Sequence, residues 1–208
     1  MKCTSAPQQI KLNDSPYIGQ RELESDLTFE IEDGVKRQGG VRIVWSVGGA
    51  GKTTTIRHML DKMINEKKIS GAVYITPSLD KDASAVEWLE NATKDIFGPI
   101  ITRKDKISDI LGCNVDKPFV IVFDQVEGTA SRAKGFEELV RGLAYDSDSC
   151  KAYISLVVTS DVHLAEEVYL WNGGTKISFL GSHKPWEYKW TQTEAEAWIE
   201  RFVQQEGN

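Results

Sequence analysis

Residues 41–59 read VRIVWSVGGAGKTTTIRHM. The stretch divides into three parts. Residues 41–46 form a short apolar run rich in β-branched side chains, which reads as a buried strand. A glycine turn follows. From residue 53 to residue 68, Ile56, Met59, Leu60, Met63 and Ile64 recur at helical spacing, and lysines close the segment near the helix's negative pole. A strand, a glycine loop and a helix in that order turn backbone N–H groups into a concavity and add the positive end of the helix to it, so the stretch predicts a phosphate site. Gly48, Gly49 and Gly51 permit the tight turn and the close approach of backbone to ligand. Lys52 reaches β- and γ-phosphates, and the Thr53 hydroxyl is a ligand for Mg²⁺. The common pattern G-x-x-x-x-G-K-[ST] starts with Gly where this chain has Ser46, and a small residue serves there if φ stays negative. The candidate nucleotide-binding residues are Ser46, Gly48, Gly49, Ala50, Gly51, Lys52, Thr53 and Thr54.

Further strands are predicted at GAVYITP (71–77), KPFVIVFD (117–124), AYISLVVTS (152–160) and TKISFLG (175–181). The third of the five, at 117–124, has no alternation, which suits a parallel sheet covered on both faces. Helices are predicted at 84–98, 135–146, 163–171 and 193–205, the last amphipathic with Thr191 or Thr193 as its N-cap. YIGQRELESDL (17–27) reads as a turn and a short helix, and 32–40 as a polar connector. Alternating strands and helices predict an α/β fold, a three-layer α/β/α sandwich on a roughly five-stranded, mostly parallel sheet. Residues 1–16 read as a flexible tail and 17–190 as one domain. Residues 191–208 read as a helix packed on that domain or as the start of a lid.

A nucleotide's Mg²⁺ calls for a carboxylate at the tip of a strand beside the loop strand. Asp124 ends the apolar run, which puts it at the edge where such sheets bind ligands. Glu127, three residues on, is the candidate to orient an attacking water. A strand-end turn residue and a solvated loop charge are the plain alternatives for these two. The assigned metal ligands are Thr53 and Asp124, and the assigned catalytic residues are Lys52, Asp124 and Glu127.

VGGAGKTTT resembles the loop of the signal-transduction ATPases with numerous domains (STAND), relatives of the AAA+ ATPases within the P-loop NTPases. YIGQRELESDL is similar to that family's opening segment, with the Gly–Arg pair stretched by Gln20, and FVIVFDQVEG resembles its h-h-h-h-D-Q-h-E strand. The resemblance implies ATP and Mg²⁺ as ligands, adenine contacts from Tyr17 and Ile18, and a γ-phosphate-sensing polar residue at Thr159 or Ser160. A Ser/Thr cap for helix 163–171 is the plain alternative for that pair. The resemblance also implies an arginine presented by a neighbouring subunit, for which Arg103, Arg132 and Arg141 are candidates.

The chain has 208 residues and a net charge of −6, which disfavours a general polyanion binder; nucleic acid is possible and not indicated. Cys3, Cys113 and Cys150 lie far apart with no CxxC pair, a pattern read as a reducing compartment, hence cytoplasm or nucleus. No apolar run is long enough to span a membrane. GTPases would need a late N/T-K-x-D, and the late strand here ends VVTSD, so ATP is favoured. Two function classes follow. One is a slow Mg²⁺-dependent ATPase regulated by self-association, with DNA or protein remodelling as a variant. The other is a nucleotide-controlled switch with little hydrolysis, acting through a protein partner.

Overall fold

A computed structural model describes residues 21–34, 39–76, 84–85, 87, 89, 91, 107–113, 115–127, 135–171, 176–180, 191–197 and 200. Five strands form one sheet: β1 (Val41–Trp45), β2 (Gly71–Ile75), β3 (Phe119–Asp124), β4 (Tyr153–Thr159) and β5 (Ile177–Phe179). Their spatial order is β2-β3-β4-β1-β5, and every neighbouring pair is parallel. Both β3 and β4 are buried along their whole length, as an apolar strand covered on two faces must be.

Helices cover both faces. Helix α1 (Arg21–Phe29) and helix α2 (Lys52–Asn65) lie on one side. There Leu23, Leu27, Ile56, Leu60 and Met63 pack on Val44, Val122, Leu156 and Val158. On the other side lie α3 (Ile107–Leu111), α4 (Phe136–Cys150) and α5 (Val162–Leu170). Phe136, Val140, Leu164 and Val168 pack there on Ile43, Phe123 and Val157. The three-layer α/β/α sandwich is therefore present, with its core in two sheets of side chains. Helix α3 was not foreseen from the sequence.

Three differences from the sequence reading have physical causes. Part of the expected polar connector is a π-helical turn, Glu30–Gly34, that continues α1. Its Glu30 carboxylate accepts from Arg42 Nε at 2.7 Å, and Arg42 is 3% exposed, so the turn satisfies a cation buried in β1. The cysteines are not all unpaired: Cys113 and Cys150 form a disulfide across 37 residues. The end of α4 and the chain leading into β3 meet near the starts of β3 and β4, a closeness that sequence spacing hides. The cysteine pattern thus gives no argument for a reducing compartment. The helix expected at 84–98 is described at residues 85, 87, 89 and 91 only, and the terminal helix at 192–197 and 200. Each opens with a reciprocal capping box, Ser84 with Glu87 and Thr191 with Glu194. No described helix is long and apolar enough to cross a membrane.

Candidate functional site

The register of the sheet assembles the site. Trp45 of β1 is level with Thr159 of β4, and Asp124 of β3 is level with Val158. The C-terminal ends of β1, β4 and β3 therefore stand side by side, and the loop 46–51 leaves from the first of them. The sequence reading set Asp124 on a strand beside β1, and the structure corrects this: β4 lies between the two. That insertion puts Thr159 between the loop and the acid.

Within the loop, Gly49 (φ 77°) and Gly51 (φ 83°) adopt the left-handed conformation, which L side chains rarely tolerate. A Cβ at Gly49 would meet nothing within 4 Å, so its backbone and not its surroundings demands glycine. Ser46 is fully buried, Ala50 is buried, and Gly48, Gly49 and Thr54 are exposed. Ser46 N donates to Thr159 O at 3.4 Å, which ties the loop to β4. Lys52 opens α2, and its Nζ donates to Ser46 O at 2.6 Å and Val47 O at 3.0 Å. Burial lowers the Lys52 pKa, while the charges of Glu127 and Asp124 oppose that shift.

Thr53 Oγ1 donates to Asp124 Oδ2 at 2.8 Å. Asp124 Oδ1 accepts from Gln125 N at 3.0 Å, and Gln125 itself takes a left-handed φ of 59°. Burial raises the Asp124 pKa; the Thr53 and Gln125 hydrogen bonds and the charge of Arg57 lower it, and Glu127 raises it. Glu127 is half-buried, and its Oε1 accepts from Ser160 N, just past β4. Thr159 Oγ1 accepts from Asp161 N at 3.0 Å. The cap of α5 is Asp161, whose Oδ1 accepts from His163 N at 2.9 Å and Leu164 N at 3.3 Å, in place of the Ser/Thr cap considered from sequence.

Lys52, Thr53, Asp124, Glu127 and Thr159 thus converge. Tyr17 and Ile18 lie outside the described residues, as do Arg103 and Arg132. Arg141 is exposed on α4 and pairs with Glu137 at 3.3 Å. Sequence reasoning missed Arg57 and Tyr74. The Arg57 guanidinium sits over the Tyr74 ring at 4.7 Å from its centroid, and its charge acts on Asp124. Arg57 follows Thr53 by four residues, so both stand on one face of α2. That spacing was the only signal in the sequence.

No protein-family model matches the sequence. The chain is 28% identical over 153 residues to the magnesium-chelatase subunit ChlI-1, chloroplastic, of Arabidopsis thaliana, covering 72% of this chain and 34% of that protein. A Walker-type ATPase of Pyrococcus abyssi superposes with a TM-score of 0.60 at 13% identity, over 95% of this chain and 62% of that one. For the ADP form of the Aeropyrum pernix ORC2 protein the TM-score is 0.57 at 15% identity, over 95% and 55%. Drosophila ORC bound to DNA gives 0.57 at 14% identity, over 93% and 49%. The chain therefore spans about a third of the curated relative and less than two thirds of each structural one. The fold is that of the P-loop NTPases, as the sequence implied.

Proposed function

We propose that this chain is an ATP-binding P-loop domain and a slow Mg²⁺-dependent ATPase regulated by self-association. The observation that carries the reading is the Thr53 Oγ1–Asp124 Oδ2 hydrogen bond at 2.8 Å, which joins the helix after the loop to the acid at the end of β3. A hydroxyl and a carboxylate are all-oxygen donors, the set that suits magnesium. Thr53 and Asp124 would hold the ion, and it would neutralise charge on the phosphates. Loop N–H groups and the start of α2 bind the phosphates, and Lys52 leaves its two carbonyl partners for the terminal ones. Glu127 orients the attacking water and takes its proton. Thr159, between loop and acid, feels the γ-phosphate. Residues 17–190 form the nucleotide domain, with Tyr17 and Ile18 over the adenine and 191–208 as a helix packed on it or opening a lid.

The second reading, a switch that hydrolyses little and acts through a protein partner, is favoured by one contact: Glu127 is engaged by Ser160 N. Steady-state ATP hydrolysis at several protein concentrations separates the two, with Lys52→Ala as control. Turnover per subunit that rises with concentration supports the self-associating ATPase. Flat turnover near zero supports the switch. Nucleotide binding that survives Lys52→Ala sinks the site assignment.

A further inference from the structure

The face of α2 that carries Thr53 also carries Arg57, one turn on. Arg57 Nε is buried without an acceptor, and Tyr74 Oη is buried without a well-aligned hydrogen bond. Buried donors left unsatisfied cost about 1–3 kcal/mol each, so a pair of them beside one carboxylate calls for a reason. Their surroundings supply it. The Tyr74 ring supports the guanidinium at 4.7 Å, which holds in place a positive charge that acts on Asp124. Tyr74 in turn feels both the Asp124 and the Arg57 charges. Asp124 already accepts from Thr53 and Gln125, one donor on each oxygen. A carboxylate oxygen has a further lone pair, so capacity remains for Arg57 and Tyr74 to hold the group when Thr53 and Asp124 turn toward a cation.

We infer that Arg57 and Tyr74 are positioning residues that orient Asp124 for a divalent cation, and that they set its affinity without touching the nucleotide. The inference rests on the nucleotide-site reading above. Partners behind a ligating carboxylate typically contribute about 10–100-fold to metal affinity. Arg57 stacks its guanidinium on the Tyr74 ring of β2, so its loss is expected to leave phosphate contacts unchanged.

The test measures binding of fluorescently labelled ADP, first with EDTA and then along a magnesium chloride titration. The proteins are wild type, Arg57→Met, Arg57→Lys, Tyr74→Phe and Lys52→Ala, each checked by thermal unfolding. The expected result has two parts. Affinity in EDTA is unchanged in the Arg57 and Tyr74 variants, while the magnesium midpoint rises about tenfold in Arg57→Met and less in Tyr74→Phe. Arg57→Lys, which keeps the charge, recovers part of the shift. An unshifted midpoint in folded Arg57→Met and Tyr74→Phe overturns the inference and leaves the nucleotide site standing. Equal weakening in EDTA and in magnesium also overturns it, since the residues would then act on the fold or the phosphates. If wild type binds no labelled ADP, or Lys52→Ala binds it equally well, the nucleotide reading falls and this inference with it.

Discussion

At the scale of single residues, the site divides between groups a reader of the sequence can find and groups only the fold reveals. Glu127 belongs to the first kind. Its carboxylate accepts from Ser160 N, a role the amide oxygen of Gln also fills. Glu127→Gln is therefore expected to keep the fold and nucleotide binding while turnover drops about 10²–10⁴-fold, the usual contribution of a positioned base. Labelled-nucleotide binding and steady-state hydrolysis check this, and full turnover would give Glu127's role to another residue. Lys52, Thr53 and Asp124 were legible because two sit in one short motif and the third ends an unbroken apolar run. Arg57 and Tyr74 were not. An arginine in a helix reads as solvent-facing, and a tyrosine in a strand reads as packing. Their shared place beside Asp124 depends on how α2 lies across the sheet, and no local pattern encodes that. Thr54, grouped with the loop by its neighbourhood in sequence, is exposed on α2 as Gly48 and Gly49 are in the loop.

At the scale of elements, boundaries were legible where capping chemistry is local. Ser84–Glu87 and Thr191–Glu194 close the reciprocal bonds that an S/T-x-x-E spacing announces. The start of α5 was harder, because Thr159, Ser160 and Asp161 are all capping residue types. The structure resolves the choice: Asp161 caps the helix, and Thr159 receives the Asp161 N–H. Asp161→Ala should lower stability by about 1 kcal/mol, about 2–4 °C in Tm for a chain of this size, while Asp161→Asn should lose far less. Thermal unfolding measures both, and an unchanged Asp161→Ala midpoint would mean the cap contributes nothing. The π-helical turn after α1 stayed hidden because its cause is Arg42, twelve residues on and buried in β1. The disulfide stayed hidden for a similar reason, since its two cysteines are 37 residues apart in the chain and are brought together by the fold beside the starts of β3 and β4.

At the scale of the whole molecule, two tyrosines bind the layers and set a response to alkali. Tyr153, at the start of β4, donates to Leu143 O at 3.2 Å and to Asp146 Oδ2 at 3.0 Å, and Asp146 also holds Ser108 of α3 through both its N–H and its hydroxyl. Burial first, and then Asp146, pushes the Tyr153 pKa well above its ordinary value near 10.0. Tyr74 is raised too, mainly by burial. Above pH 10 the unfolded chain releases these protons while the folded chain keeps them, so stability is intact below that pH and falls as pH rises through it. Denaturant unfolding at pH 8 to 11 should show the fall, and Tyr153→Phe should flatten it while lowering stability at pH 8 through the lost hydrogen bonds. A pH slope unchanged by Tyr153→Phe would refute this account. Because all five strands point the same way, the molecule has two chemically distinct ends. Among the described residues, Lys52, Thr53, Asp124, Glu127 and Thr159 gather where the strands finish, and Cys113 and Cys150 clasp the end where β3 and β4 begin. A tether, fluorophore or solid support fixed at the clasp would leave the opposite end open to solution, so the protein can be held by one end and interrogated at the other.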